Sequence, residues 1–99
     1  MKNILEYIRT EIAKVCEISQ EVPFVCEYPR DKSHGDFATN IAMVASKIAK
    51  TSPIELAQKL VPLIQSLPFV RECTVAKPAF INIRVENSIF LEMMESIIE

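Results

Sequence analysis

The stretch Phe80-Ile81-Asn82-Ile83-Arg84-Val85 constrains this chain more than any other, because it alternates without a break. Successive side chains of a strand point to opposite faces, so Ile81, Ile83 and Val85 share one side while Phe80, Asn82 and Arg84 share the other. The first face is uniformly apolar and has to be covered. The second carries an aromatic ring, a carboxamide and a guanidinium in a row, a set suited to meeting a partner. The rest of the chain is therefore read as the layer beneath Ile81, Ile83 and Val85.

That layer has to come from a single domain, since 99 residues hold one core and a chain of this size buries roughly 60–70% of its unfolded surface. An ordinary apolar fraction, one glycine and no low-complexity tail argue for a chain folded along its length. Cys16, Cys26 and Cys73 are odd in number and none has the close spacing of a zinc knuckle or redox pair, so they read as small buried hydrophobes in a reducing compartment. No apolar run approaches the ~18 residues of a membrane helix, and the expectation is a soluble, cytoplasmic protein with no membrane partner. Net charge is −2, which argues against indiscriminate nucleic-acid binding. Its distribution is uneven: eight Lys and Arg against four Asp and Glu lie between Tyr28 and Arg84, and the two ends are acidic. A basic middle is compatible with a polyanion and equally with a solvated mixed surface.

In chain order, Ile4, Leu5, Ile8, Ile12 and Val15 predict an amphipathic helix from about Lys2 to Ser19, with Glu6, Arg9, Glu11 and Lys14 on its polar side. Phe24 to Tyr28 has strand composition, bounded by Pro23 and Pro29, and Pro23 places it at a sheet edge. Arg30 to Asp36 is a polar loop in which Gly35, the lone glycine, supplies a backbone angle other residues resist. Asp36 is expected as the N-cap of a second helix that starts at Phe37 and points Ile41, Val44, Ala45 and Ile48 inward, with Ala38, Ala42, Ala45 and Ala49 as a small-residue stripe. Ser52, Pro53 and Glu55 open a third helix running to about Leu67, with a kink or early end at Pro62. Val70 to Ala76 is a strand with Cys73 and Val75 on one face, Lys77-Pro78 a turn, and Phe80 to Val85 the antiparallel partner. Asn87 caps a last helix with Ile89, Phe90, Met93, Met94, Ile97 and Ile98 in its stripe; still periodic at Glu99, it suggests a piece of a longer chain. The fold class is α+β, a small mostly antiparallel sheet of three to four strands packed with about four helices.

No nucleophile, base and oxyanion site occur together, and there is no phosphate loop, dinucleotide fingerprint or metal-ligand cluster, so no catalytic and no metal residue is assigned. His34, the single histidine, sits beside Gly35 and Asp36; it is either a reactive group or, with Asp36, part of a loop that caps the next helix. The amides opening the second helix could hold a phosphate, but Asp36 competes for them. Phe80, Asn82 and Arg84 supply what recognition of splayed RNA bases uses: a ring to stack on, an amide for base edges and a cation for phosphate. The alternative is that Phe80 packs under the last helix, Asn82 satisfies a neighbouring backbone group and Arg84 is solvated.

The run His34-Gly35-Asp36-Phe37-Ala38-Thr39-Asn40, the alanine-rich helix after it, Ser52-Pro53, and Val75-Ala76-Lys77-Pro78-Ala79-Phe80-Ile81-Asn82-Ile83-Arg84 together resemble the N-terminal additional domain of arginyl-tRNA synthetases. The likeness covers nearly the whole chain in order and spacing, with Ala79 standing where glycine is common and Ile83 where an aromatic is common. It implies one tRNA-recognition domain over residues 1–99, an N-terminal part of a longer monomeric ligase, that touches the D-loop at the outer corner of arginine tRNA. It implies that Phe80 and Asn82 read a base there; Lys77 and Arg84, the basic residues of the same stretch, are expected to contact phosphates and so to bind all tRNAs alike. It also implies that ATP is used by the catalytic domain of the same chain, so that this part needs no cofactor. The reading from another class is a small protein-interaction adaptor using the same sheet face or the last helix, and salt sensitivity separates the two, because phosphate contacts weaken steeply with salt.

Overall fold

The computed structural model of the protein describes residues 4–86. Helix α1 (Ile4–Val15) leads to a two-residue strand β1 (Cys26–Glu27), a helical turn (Lys32–His34), strand β2 (Phe37–Thr39), helices α2 (Ile41–Ala49) and α3 (Pro53–Gln65), and strands β3 (Val70–Ala76) and β4 (Phe80–Val85). The sheet is antiparallel throughout, in the order β1-β2-β4-β3. This is the α+β class expected, with three helices among the described residues; the helix expected after Asn87 lies outside them.

The core forms where the alternation of β4 requires it. Ile81, Ile83 and Val85 are buried and join Ile8 and Ile12 of α1, Ile41 and Ala42 of α2, and Ala57, Leu60 and Ile64 of α3 in one apolar cluster. Phe80, Asn82 and Arg84 are half-buried on the other face. Strand β3 keeps the expected bounds and turns Cys73 inward opposite Ile83, with Val75 opposite Ile81. A bulge between Val70 and Glu72 shifts the register by one residue, and Gln65 Nε2 donates to the Val70 and Arg71 carbonyls beside it at 3.4 and 3.1 Å. Without that shift Arg71 would face Arg84; with it Glu72 does.

The second helix departs most from expectation. Phe37-Ala38-Thr39 is a strand, not a first helical turn, and the N-cap of α2 is Asn40, with no side-chain cap bond. Phe37, Ile41 and Ala45 fit a helical period by coincidence, because a three-residue strand buried on both faces shows no alternation to contradict it. Asp36 consequently caps no helix: its Oδ2 accepts from the Val85 N–H at 2.9 Å, and its own N–H donates to the Ile83 carbonyl at 2.8 Å, extending the β2–β4 ladder by side chain and backbone. Thr39 and Asn40 lock the neighbouring strand instead. Thr39 Oγ1 donates to the Val25 carbonyl at 2.8 Å, and Asn40 Oδ1 accepts from the Val25 N–H at 2.8 Å. These bonds fall just outside the shortened β1, which sits at the sheet edge as Pro23 suggested.

Ile48 is 64% exposed rather than inward, and rims an apolar groove between the ends of α1 and α2 and the start of α3. Helix α1 stops at Val15, before the expected Ser19. Glu17 adopts a left-handed φ of 55°, and the Glu17 and Ile18 amides turn back to the Lys14 and Ala13 carbonyls. Arg9, expected on the solvent side, is half-buried: it donates to the Phe24, Val22 and Gln20 carbonyls and lies 4.3 Å from the Phe24 ring centre, tying α1 to the segment before β1. Helix α3 opens as expected, Ser52 accepting from the Glu55 amide at 3.5 Å with Pro53 at its first position. It runs through Pro62 and ends at Gln65, where Ser66 Oγ donates to the Leu63 carbonyl. No described helix is long and apolar enough to cross a membrane.

Candidate functional site

The three described helices pack on the inner face of the sheet, and β4 presents its polar set on the outer one. Register places Thr74 and Ala38 on either side of Asn82, Glu72 beside Arg84, and Ala76 beside Phe80. Lys77 is exposed at the turn before β4, next to a cis Lys77–Pro78 peptide, and Ala79 is fully buried. Among the expected site residues, Asn82 and Arg84 meet in one place. They line a shallow polar hollow of about 160 Å³ together with Ser33, His34, Glu72 and Thr74. Phe80 is one step along the same face and Lys77 further still; neither lines the hollow.

The loop carrying His34 reaches this face because it is fastened to β4 at consecutive residues. Gly35 has a φ of +126°, and a Cβ there would come within 2.9 Å of the Ile83 carbonyl oxygen, so both the angle and the close approach call for glycine. Asp36 takes the Ile83 carbonyl and the Val85 amide. Arg84 Nη2 donates to the Ser33 carbonyl at 2.6 Å, while its Nε lies 3.3 Å from Glu72 Oε1. At the far end the Ser33 and His34 amides both donate to Asp31, to its side chain and its carbonyl, at 2.9 Å. The Ser33 amide holds the Asp31 carboxyl below its usual range.

These contacts set the chemistry of the hollow. The Arg84–Glu72 pair is exposed, 41% and 60% by side chain, and such pairs contribute only about 0–1 kcal/mol. Its main consequence is geometric, since a planar guanidinium gripped at two nitrogens has one orientation. Opposite charges cancel across the floor, and the remaining lining is hydroxyl, carboxamide and imidazole, groups that both donate and accept. A phosphate would meet the Glu72 carboxylate; the edge of a neutral heterocycle would meet complementary partners. Drug-sized ligands occupy pockets of roughly 300–1,000 Å³, so this one suits a single ring system.

Two of these neighbours were legible in the sequence, because Cys73 and Val75 inward put Glu72 and Thr74 outward. Ser33 and His34 carry no such signal, as nothing in a polar loop states which strand it lies on.

The family model for the arginyl-tRNA synthetase N-terminal domain matches residues 2–85. The arginine–tRNA ligase of Listeria welshimeri is 34% identical over 98 residues, 96% of this chain. That of Desulforudis audaxviator is 52% identical over 66 residues, 65% of this chain. The chain spans 18% of the length of the first relative and 12% of the second. The arginyl-tRNA synthetase of Thermus thermophilus shares the fold, with a TM-score of 0.68 over 92% of this chain and 15% of that one at 18% identity.

Proposed function

The chain belongs to the arginyl-tRNA synthetase N-terminal domain family, and from that premise we propose that it is a tRNA-recognition module that contacts the D-loop at the outer corner of arginine tRNA. It serves ATP-dependent aminoacylation by a longer, monomeric cytoplasmic ligase, whose catalytic domain binds ATP and arginine. The observation that carries the reading is the outer face of β4, where Phe80 and Asn82 stand two residues apart beside a polar hollow. Phe80 stacks on a splayed base, Asn82 bonds a base edge, and Lys77 contributes charge toward the backbone.

The test is a titration of the chain with an arginine-tRNA D-arm hairpin, repeated with kinetics of the full-length ligase. Asn82→Ala weakens binding and lowers kcat/KM for tRNA by roughly 1–3 kcal/mol, the cost of one base contact, and blurs discrimination among tRNAs differing at one D-loop base. Phe80→Ala does the same through lost stacking, ~1–3 kcal/mol. Unchanged binding and kinetics in both variants would remove the reading.

A further inference from the structure

We propose that His34 is a second base-contacting residue of this site and that Arg84 is the positioning residue that holds it there. The inference rests on the reading above that the outer face meets RNA, and it goes further by assigning the hollow beside Asn82 to one base edge. From the bare sequence, Arg84 is the natural phosphate ligand. In the fold two of its nitrogens face the Ser33 carbonyl and the Glu72 carboxylate, so its charge is already answered by the chain itself. What it fixes is the turn Lys32–His34, gripped through the residue immediately before His34.

The fastening is continuous along β4. Gly35 lies against Ile83 with no room for a side chain, Asp36 is bonded to Ile83 and Val85, and Arg84 reaches back from between those two to Ser33. His34 is thereby carried into the lining of the hollow together with Asn82 and with Thr74, the partner of Asn82 on the adjacent strand. A neutral imidazole has one nitrogen that donates and one that accepts, and a carboxamide likewise offers both. Together they match the mixed donor and acceptor edge of a nucleobase, which a phosphate, acceptor only, does not supply. Cation charge without the planar two-point grip does not do this work, so lysine at position 84 is not equivalent to arginine.

The experiment titrates D-arm hairpins differing at one loop base with the chain and its variants between 50 and 200 mM salt, conditions over which phosphate contacts register as a slope. His34→Ala and Arg84→Gln each weaken binding to the preferred hairpin by about tenfold, a typical cost of one base contact, and narrow the preference between hairpins. Arg84→Lys behaves like Arg84→Gln although it keeps the charge. The double variant His34→Ala/Arg84→Gln is no weaker than either single one within about twofold, because both remove the same contact. The salt slope stays at the wild-type value in all of them. A slope lower by about 0.7 to 0.9 in Arg84→Gln, restored in Arg84→Lys, with equal loss on every hairpin, would make Arg84 a phosphate ligand and overturn the proposal. So would unaltered binding in His34→Ala. In both cases losses in Phe80→Ala and Asn82→Ala leave the tRNA reading standing; wild-type chain that binds no hairpin ends both.

Discussion

Gly35 is the residue on which the loop depends. Its φ of +126° belongs to a region that costs other residues about 1–3 kcal/mol, and a Cβ at this position would lie 2.9 Å from the Ile83 carbonyl oxygen, a clash with backbone that is itself held in the sheet. Gly35→Ala is expected to lower the unfolding free energy by at least that much, read as a lower urea midpoint, and a wild-type midpoint in the variant would contradict the geometry. The cysteines make a second residue-level case. Burial pushes Cys16 and Cys73 up to about 12 and Cys26 up to about 11, so all three thiols stay protonated at neutral pH. An unfolded thiol ionises near 8.5, so between that value and the folded ones the unfolded chain has lost protons that the folded chain keeps. Their contribution to stability is complete below about pH 8.5 and is lost as pH rises toward 12. Urea midpoints at pH 7 and pH 10 measure it, with the lower expected at pH 10. Alkylation at pH 8 should be slow for all three until urea is added, and fast native labelling would show them accessible.

Elements here end by unusual means for a chain with one glycine. Both α1 and α2 close through left-handed residues with side chains, Glu17 at φ 55° and Lys50 at φ 56°. A left-handed backbone costs an ordinary residue roughly 1–2 kcal/mol, part of which glycine gives back through its greater freedom in the unfolded chain. Glu17→Gly and Lys50→Gly should each raise stability by up to about 1 kcal/mol, read as a higher melting temperature; a fall would mean that the side chains hold the helix ends. Strand β4 gives the complementary prediction. Ile81 is fully buried and Ile81→Ala should cost about 2–5 kcal/mol, whereas Asn82→Ala, on the half-buried outer face, should change stability by no more than about 0.5 kcal/mol. A lowered melting temperature for Asn82→Ala with unchanged RNA binding would make that asparagine a structural residue.

Across the described residues, the helices pack on one face of the sheet and β4 presents polar side chains on the other, so the side chains that hold the core and those of the proposed site lie on opposite faces. A surface with few cations and a net charge of −2 holds RNA weakly, so association of the chain alone with arginine tRNA is expected at micromolar strength or below, falling as salt rises. Lys77→Glu, at the exposed turn, should weaken every tRNA alike rather than alter preference. Equal affinity at low and high salt would favour an apolar docking surface instead. Given arginine, ATP and tRNA, the chain by itself is expected to support no arginine-dependent pyrophosphate exchange, and exchange above background would place catalytic groups within it.

Local rules were enough for much of this protein. Alternation in Phe80 to Val85 settled which side chains are buried, the Ser52-Pro53-Glu55 start settled where α3 begins, and the isolated Gly35 marked a position needing a special backbone angle, because each depends only on neighbours within a few residues. Phe37 to Thr39 is illegible locally, since so short a strand carries no period of its own; it is a strand because β4 and β1 lie on either side to pair with it. Asp36 likewise bonds Val85, and Arg84 bonds Ser33, across 49 and 51 residues of chain. The bulge that sets Glu72 rather than Arg71 against Arg84 exists only once β3 and β4 are in register. Tertiary structure alone therefore decided that a loop histidine lines the same hollow as Asn82, because contacts of that separation are selected by packing of the whole sheet and leave no trace in local spacing.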